Sequence, residues 1–293
     1  YNGYGQLGQD NTSSYSGPSL YGLPAVNLGV GRTATKVSMG IWHSCALLDN
    51  GDVKCWGYNG YGQLGQDSTD QLGDAAGEMA ALAPINLGLP AIDITGGGYH
   101  TCAVLNNGTA KCWGSNDQSQ LGIGSGTRMG DNPGEMAALP AISFPGRTIQ
   151  KISAGYYHTC ALLDNNAMRC WGYNANGQLG QGDNVARGSV PGWNTILSDI
   201  SLGGGRTVKQ MAPHGEHTCA ILDNDTLKCW GYNFWGQLGL GHRNNMGDGV
   251  DEMGDFLPAI NFGTNATVKE IVRSISYDNN CAVVEKDGMK QVY

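Results

Sequence analysis

The sequence predicts an all-β fold built from about five repeated units, and three observations predict it. Glycine makes up 47 of the 293 residues, about twice its usual share, and a glycine inside a helix costs about 1 kcal/mol. A motif of about 58 residues recurs along the whole chain. Each copy carries two short apolar runs around a turn signal, which is the pattern of a β-hairpin.

The repeat is marked by a leading cysteine, and the leading cysteines lie 57, 58, 59 and 62 residues apart: Cys45, Cys102, Cys160, Cys219 and Cys281. The repeat blocks lie near residues 36–65, 93–122, 151–180, 208–239 and 269–293, with residues 1–8 completing the last block. We therefore predict one domain, residues 1–293, whose last unit is closed by strands from both termini. A stretch cut from a longer array is the alternative.

Each unit is expected to be β-structure throughout. Residues 45–48 and 53–56 flank residues 49–52, where Asn and Gly tolerate the positive φ of a tight turn. Residues 35–39 alternate and should pair with this hairpin, and residues 23–28, 139–144 and 257–262 are candidates for a fourth strand. Three or four strands per unit with no long helix predict a β-propeller of about five blades. A single helical turn is expected at residues 132–135.

The full copies read His-(Ser/Thr)-Cys-Ala, then Cys-Trp-Gly-x-Asn, then Gln-Leu-Gly. This motif resembles the repeat of the regulator of chromosome condensation family, the RCC1-like β-propellers, over essentially the whole chain. The resemblance implies a fold rather than one function, because that fold hosts nucleotide exchange, light sensing and inhibitor binding. Such proteins usually have seven blades, so five repeats are a departure. The cysteine-paired form looks like secreted or surface repeat proteins of protists and bacteria.

The nine cysteines are the strongest chemical signal. Eight of them form pairs ten residues apart across a predicted hairpin, which sets two cysteines opposite each other. We expect four disulfides: Cys45–Cys55, Cys102–Cys112, Cys160–Cys170 and Cys219–Cys229. Cys281 should face Gln291 or Val292 and be a free thiol or an intermolecular link. Buried thiols in a reducing cell are the alternative, and zinc is disfavoured because one hairpin offers only two thiolates.

Paired cysteines indicate an oxidising compartment, so we expect an extracellular or cell-surface location. Four Asn-x-Ser/Thr sequons lie in predicted turns or loops and are glycosylation candidates: Asn11, Asn107, Asn224 and Asn265. The net charge of −8 and the lack of a basic run disfavour nucleic acid as a partner. The sequence contains no run of 18 apolar residues, so no membrane span is predicted.

Several recurring side chains are interpreted as structural. Histidines in one slot should hydrogen-bond between strands or blades, and tryptophans in another should pack between blades: His43, His100, His158, His217, Trp56, Trp113, Trp171 and Trp230. Three acidic pairs are expected to be solvated or capping carboxylates rather than a calcium site: Asp74/Glu78, Asp131/Glu135 and Asp248/Glu252. Aromatic residues outside this pattern are candidates for contacts with a glycan or a partner: Tyr4, Tyr61, Phe234 and Trp235.

No nucleophile elbow or phosphate loop is present, so we expect no enzyme activity, catalytic residue, metal or cofactor. The predicted function is a non-enzymatic extracellular or surface scaffold or binding module. Its rim loops 9–22, 181–199 and 240–256 would contact a protein or glycan, or build a filament or wall by self-assembly. Two alternatives stay open: an intracellular RCC1-type regulator of a GTPase or chromatin, and a secreted enzyme-inhibitor propeller.

Overall fold

Each repeat forms one three-stranded antiparallel sheet in a computed structural model that describes residues 1–17, 21–272 and 280–293. The prediction of an all-β fold of about five propeller blades is confirmed. The chain forms two compact units: unit 1 is Tyr1–Asp117 with Thr127–Ile142, and unit 2 is Gln118–Gly126 with Ser143–Tyr293.

Unit 1 contains two sheets and two short helices. Its elements are β1 (Ala34–Met39), β2 (His43–Leu48), β3 (Val53–Gly57), α1 (Glu78–Ala81), β4 (Ala91–Gly96), β5 (His100–Leu105), β6 (Ala110–Gly114) and α2 (Glu135–Ala138). Sheet 1 is ordered β1-β2-β3 and sheet 2 is ordered β4-β5-β6. All six residues of β2 are buried, because sheet 1 packs on sheet 2 through the contact of β2 with β4.

Unit 2 contains three sheets. Its elements are β7 (Ile149–Ala154), β8 (His158–Leu163), β9 (Met168–Gly172), α3 (Trp193–Ile196), β10 (Val208–Pro213), β11 (His217–Leu222), β12 (Leu227–Gly231), β13 (Ala266–Val272), β14 (Cys281–Lys286) and β15 (Met289–Val292). Sheets 3, 4 and 5 follow chain order like the first two. Apolar side chains of sheets 3 and 4 form one core cluster, and those of sheets 4 and 5 form another.

The hairpin turn fixes the register on which the cysteine pairs depend. In sheet 1 the amide of Leu48 donates to the carbonyl oxygen of Asp52, and Gly51 takes a φ of 84°. That turn places Cys45 directly opposite Cys55 in the β2–β3 pairing. Sheets 2, 3 and 4 have the same pairing. The spacing of ten residues therefore predicts the pairing correctly.

Two details of the predicted strands are wrong. The candidate fourth strand is reduced to single contacts, such as the isolated bridge between Ala110 and Ile142, so each sheet has three strands. Sheet 5 takes all its strands from residues 266–292, and residues 1–17 contain no strand. The reason is that residues 1–8 match residues 58–65, which follow the end of β3 at Gly57 and form turns rather than a strand.

Helix α2 begins at Glu135, the last residue of the predicted helical turn at residues 132–135, because Gly134 adopts a φ of 85°. The carboxylate of Asp67 accepts hydrogen bonds from the amides of Gly134 and Met136, at 3.0 and 2.8 Å. Asp10 accepts the equivalent bonds from Gly77 and Met79 at α1. Helices α1 and α2 are therefore each capped by an aspartate from the preceding repeat.

Candidate functional site

Six aromatic rings form a continuous, partly exposed surface on unit 1. We call it the aromatic surface; its residues are Tyr1, Tyr4, Trp42, Tyr58, Tyr61 and Tyr99. Successive ring centroids, from Tyr1 through Trp42, Tyr4, Tyr58 and Tyr99 to Tyr61, lie 5.0–6.2 Å apart. These distances are typical of interacting aromatic pairs. Tyr1 is 68% exposed and the other five are half-buried.

The rings come from two turns that recur in the repeat. In the turn after β3, the buried side chain of Asn59 accepts a hydrogen bond from the amide of Leu64 at 2.9 Å. The side chain of Gln63 accepts one from the amide of Tyr61, also at 2.9 Å. The turn at residues 1–8 has the same bonds through its own asparagine and glutamine. The backbone under the rings is therefore fixed by buried amides, so little conformational entropy remains to be lost on binding.

The aromatic surface is uncharged except at one end. Burial raises the pKa of Tyr58, and the neighbouring Tyr61 and Tyr99 raise it further, so the phenol stays protonated at neutral pH. At the Tyr61 end, the guanidinium of Arg128 lies 4.7 Å from the ring centroid, a cation–π distance. Asp117 holds that guanidinium through an ion pair of 2.9 Å. The surface therefore offers ring faces and hydroxyl groups with one positive edge.

The same turns of unit 2 carry a more broken set of aromatic rings. The ring centroid of Tyr157 lies 4.3 Å from that of Tyr156 and 6.2 Å from that of Tyr173. Glu216, which occupies the slot of Trp42, is half-buried, and burial raises the pKa of its carboxyl group. In the turn that follows β12, Phe234 and Trp235 form an edge-to-face pair, 53% and 63% exposed.

The four aromatic residues flagged from the sequence are thus all accessible, two of them in the aromatic surface and two as the exposed Phe234–Trp235 pair. Sequence reasoning did not assign Tyr1, Trp42, Tyr58 or Tyr99 to a common surface. The available signal was their repetition in two slots: the residue before the leading histidine and the residue before the buried asparagine.

The four predicted cysteine pairs are the four disulfides of the structure, and all eight cysteines have no exposed surface. Each pair has Cα atoms 4.1 Å apart. Cys281 is free and exposed. The expectation that it faces Gln291 or Val292 is wrong, because those residues pair with Val284 and Val283. The cause is that the turn comes later: it consists of Asp287 and Gly288, both with positive φ, and begins six residues after Cys281, whereas the turn of sheet 1 begins four residues after Cys45.

The repeated histidines and tryptophans have the structural roles that were expected. The Nε2 atom of His43 lies 2.9 Å from the hydroxyl of Thr101, which joins sheets 1 and 2. His158 makes the same contact with Thr218. Full burial lowers the pKa of His43 to about 4. The indole of Trp113 donates to the carbonyl oxygen of Gln63 at 3.0 Å and is completely buried.

The acidic pairs bind backbone amides. One carboxylate oxygen of Glu78 accepts hydrogen bonds from the amides of residues 73, 74 and 75, and Glu135 and Glu252 do the same in their repeats. An oxygen that already accepts three bonds is a poor start for a calcium site. Within the described residues no group of three or more His, Cys, Asp or Glu side chains is arranged to hold a metal ion.

The sequons differ in accessibility. Asn107, Asn224 and Asn265 are exposed. Asn11 is half-buried, and its side-chain amide donates to the carbonyl oxygen of Gln9 and the hydroxyl of Tyr15. In the sequons of Asn107 and Asn224, the asparagine side-chain oxygen accepts a hydrogen bond from the hydroxyl of the threonine two residues later, at 2.8 Å. Glycosylation at these positions stays a prediction.

The rim loops present apolar side chains. In loop 181–199, Val190 and Ile196 are 56% and 79% exposed, and the loop lines a pocket of about 440 Å³ to which the buried Trp193 contributes. In loop 240–256, Val250 is 85% exposed. Part of loop 9–22 lies outside the described residues. In the described part of the chain, no helix has both the length and the apolar character needed to cross a bilayer.

The repeated blade-type sheets and the accessible aromatic side chains define a β-propeller binding or scaffold module. The chain belongs to the family described as Regulator of chromosome condensation (RCC1) repeat, whose repeat matches residues 50–104, 107–162 and 170–221. A second description of the same repeat matches residues 34–63, 91–120 and 149–178. The resemblance drawn from the repeated motif is confirmed.

Two curated proteins illustrate the range of relatives. The chain is 32% identical over 214 residues to Probable E3 ubiquitin-protein ligase HERC6 of Homo sapiens, covering 73% of this chain and 19% of that protein. It is 32% identical over 215 residues to RCC1 domain-containing protein RUG3, mitochondrial, of Arabidopsis thaliana, covering 71% and 44%. The chain thus spans less than half the length of these relatives.

Solved structures show the same fold. Human WBSCR16 matches with a TM-score of 0.74 and 18% identity over 99% of this chain and 67% of its own. Yeast RCC1 (Prp20), solved bound to Kap60, matches with 0.68 and 20% over 96% and 62%. The CRINKLY WD40 ectodomain of the Arabidopsis thaliana receptor kinase ACR4 matches with 0.50 and 17% over 92% and 66%. At these identities the likeness concerns the fold alone.

Proposed function

We propose that this protein is a non-enzymatic binding module of an oxidising, extracellular or cell-surface environment, and that its aromatic surface contacts a protein partner. The observation that carries the proposal is the run of six linked rings, left accessible on turns whose backbone is held by buried amides. Tyrosine and tryptophan are enriched at the centres of protein interfaces, where a large rigid side chain loses little entropy.

The chemistry of the surface favours a protein over a charged ligand. Its rings are neutral, and its one cation, Arg128, is already paired with Asp117. Yeast RCC1 (Prp20), which has this fold, was solved bound to a protein, Kap60. Two other contacts are considered: a glycan stacked on the rings, and self-assembly through the exposed rim loops. Photo-crosslinking distinguishes both of them from a contact with a protein partner.

The extracellular part of the proposal is supported by the disulfides. Four bonds with no exposed surface are typical of proteins that fold where thiols are oxidised. Three exposed sequons are compatible with such a compartment. The ACR4 structure is an ectodomain, so the fold is not restricted to intracellular proteins.

The first experiment counts thiols in the protein isolated from its own cells, alkylated at harvest and unfolded. We expect one alkylated cysteine, Cys281, and eight that become reactive only after reduction. Nine alkylated cysteines would reject the oxidising compartment and favour the alternative of an intracellular RCC1-type regulator. The intact mass of the same sample shows any glycan at the sequons.

The second experiment places a photo-crosslinking phenylalanine at Tyr61 or Tyr99, with Lys290 on β15 as the control site. We expect a discrete crosslinked protein from the extracellular fraction with the first two probes only. Excess unlabelled wild type should compete, and the matched variant Tyr58→Ser/Tyr61→Ser/Tyr99→Ser should not. Equal crosslinking from Lys290, competition by the triple variant, or crosslinks only to its own chain would reject the proposed contact. A single hydrolase as the captured protein would identify the inhibitor type of module.

A further inference from the structure

The residue before the leading histidine is aromatic in the repeats of sheets 1 to 3 and acidic in the repeat of sheet 4. The aromatic residues are Trp42, Tyr99 and Tyr157, and the acidic one is Glu216. In unit 2, the backbone amide of Tyr156 donates to the carbonyl oxygen of Gly215 at 3.0 Å, so the turn that carries Glu216 lies beside the turn that carries Tyr157. The repeat of sheet 4 therefore places a carboxylate beside aromatic side chains, where the other copies place a further ring.

The carboxylate of Glu216 is held in place by a chain of amides. Its Oε2 atom accepts a hydrogen bond from the side-chain amide of Asn176 at 2.9 Å. The side-chain oxygen of Asn176 accepts one from the side-chain amide of Asn245 at 3.3 Å, and the side-chain oxygen of Asn245 accepts one from the backbone amide of Asn233 at 2.9 Å. Asn233 is completely buried. The carboxylate is therefore preorganised, so a ligand that contacts it loses little affinity to the ordering of this side chain.

The charge of this carboxylate is not neutralised within the part of the chain that the structure describes. There, the hydrogen bond from Asn176 is the only polar contact of the Glu216 side chain, and no ion pair includes it. Glu216 is half-buried, and burial raises the pKa of its carboxyl group. Taking a carboxylate out of water without a cation is costly, and a bound cation offsets that cost. The net charge of −8 also favours the approach of a basic partner.

Two tyrosine rings lie next to this carboxylate. The ring centroids of Tyr157 and Tyr173 are 6.2 Å apart with an angle of 72° between the ring planes, and both side chains are half-buried. The backbone amide of Tyr173 donates to the carbonyl oxygen of Tyr157 at 3.0 Å, which fixes the pair. Burial raises the pKa of Tyr173, and the negative charge of the nearby Glu216 raises it further. An ammonium group is attracted both by ring faces and by a carboxylate.

The turn after β12 adds an exposed apolar contact. The backbone amide of Tyr232 donates to the carbonyl oxygen of Glu216 at 3.0 Å. The ring of Tyr232 stacks on that of Phe234, with centroids 6.4 Å apart and an angle of 14° between the planes, and Phe234 is 53% exposed. A ligand that contacts Glu216 can therefore also cover an apolar ring, which suits a polypeptide better than a small free amine.

We propose that Glu216, Tyr157 and Tyr173 bind the ammonium group of a lysine side chain in a partner protein. The ammonium donates to the Oε1 atom of Glu216, and the alkyl stem packs on the rings. Lysine fits better than arginine, because Asn176 already donates to Oε2 and a guanidinium would use both carboxylate oxygens. A trimethylated lysine has no N–H group to donate. An apolar residue of the same partner segment contacts Phe234. The site lies in unit 2 and does not depend on the aromatic surface of unit 1.

The test titrates the isotope-labelled protein with the peptide acetyl-Leu-Gly-Lys-Gly-Leu-amide and follows the side-chain amide signal of Asn176 by NMR. We expect the acetyl-lysine peptide, which lacks the charge, to bind at least about tenfold more weakly, and the arginine and trimethyl-lysine peptides about threefold more weakly. Butylammonium, the lysine stem alone, should bind at least about threefold more weakly, because it cannot reach Phe234. Equal affinity of the acetyl-lysine peptide would overturn the proposal. Equal affinity of the arginine or trimethyl-lysine peptide would overturn the choice of lysine, and equal affinity of butylammonium would overturn the protein source.

Variants locate the site. Glu216→Gln keeps an oxygen for the bond from Asn176 and should weaken binding of the lysine peptide about tenfold, whereas Glu270→Gln, the same change of charge at an exposed position of β13, should leave it unchanged. Glu216→Tyr, which restores the residue of this position in sheets 2 and 3, should remove the difference between the lysine and acetyl-lysine peptides. Tyr157→Leu/Tyr173→Leu should weaken binding about threefold. Equal losses in Glu216→Gln and Glu270→Gln would show that only net charge matters and would overturn the site. Unchanged affinity in the tyrosine variant would overturn the role of the rings.

Discussion

Sheets 1 to 4 and sheet 5 have the same strand order, but they are stabilised differently. Each of the first four carries a buried disulfide and a buried tryptophan on its third strand, whereas sheet 5 has an exposed Cys281 and ends on the half-exposed Tyr293. All four residues of β15 are exposed, while the equivalent β12 is buried throughout. Sheet 5 therefore has the strand order of the other sheets without a disulfide, and the residues of its third strand are far less buried than their equivalents in sheet 4.

The largest difference in stability between sheets 1–4 and sheet 5 should come from the buried tryptophan of the third strand. Trp113→Ala removes a fully buried indole and leaves the carbonyl oxygen of Gln63 with one bond fewer, so we expect the free energy of unfolding to fall by about 3–5 kcal/mol. Tyr293→Ala in sheet 5 should cost less than about 1 kcal/mol. Urea unfolding followed by circular dichroism measures both. Similar losses in the two variants would contradict the comparison.

The second largest effect should be a loss of stability at acidic pH, caused by the buried His43 of sheet 1. The unfolded state binds a proton on this imidazole below pH 6.5, but the folded state does so only near pH 4, because burial lowers the pKa of His43. The contribution of His43 to the free energy of unfolding should therefore be constant well above pH 6.5 and fall by roughly 3 kcal/mol as the pH drops to 4. The matched variant His43→Gln should lack this part of the slope. Parallel curves for wild type and variant would show that His43 is not responsible.

The disulfides should come third. Each closes a hairpin of ten residues, for which the loop-entropy relation gives about 2–3 kcal/mol. Cys102→Ala/Cys112→Ala should lower the free energy of unfolding by that amount, and Cys281→Ala in sheet 5 should leave it unchanged within about 0.5 kcal/mol. Thermal unfolding with and without reductant gives the comparison. A loss in Cys281→Ala as large as in the double variant would mean that sheet 5 is stabilised through its thiol.

The smallest difference concerns the turns. Gly288 in sheet 5 has a φ of 79° and open space around its missing Cβ, so Gly288→Ala should cost only the backbone strain of about 1 kcal/mol. Gly51 in sheet 1 has a φ of 84°, and an added Cβ would lie 2.6 Å from Pro90, so Gly51→Ala should cost more. Denaturant midpoints of the two variants rank them. The reverse order would contradict the packing of this turn.

The sequence was sufficient for everything that repetition encodes. Register, cysteine pairing and the structural roles of histidine and tryptophan follow from slots that recur at a fixed spacing, because each copy faces the same local geometry. The predictions that were wrong concern features that depend on a single residue or on tertiary contacts. The extra residue before Gly288 makes a two-residue turn and moves Gln291 and Val292 away from Cys281. The candidate fourth-strand segments touch the sheet only at isolated points, such as the bridge between Ala110 and Ile142 and the hydrogen bond from the amide of Ile260 to the carbonyl oxygen of Leu227.

Only part of the aromatic surface could be predicted from the sequence, for a different reason. Tyr4 and Tyr61 stood out because they fall outside the repeat consensus, whereas Tyr58 and Tyr99 looked like ordinary repeat positions. Their common surface depends on how two turns approach each other in space, which a linear pattern does not contain.

The confinement of every crosslink to its own hairpin has a mechanical consequence. Among the described residues no sulfur bridge joins one sheet to the next, so a pulling force applied to the two ends can detach the sheets one after another. Of the approximately 58 residues in a repeat, the ten inside the bridge cannot extend, so each event should release roughly 160 Å of chain. Adding reductant should lengthen each of those steps by about 30 Å in a single-molecule stretching trace.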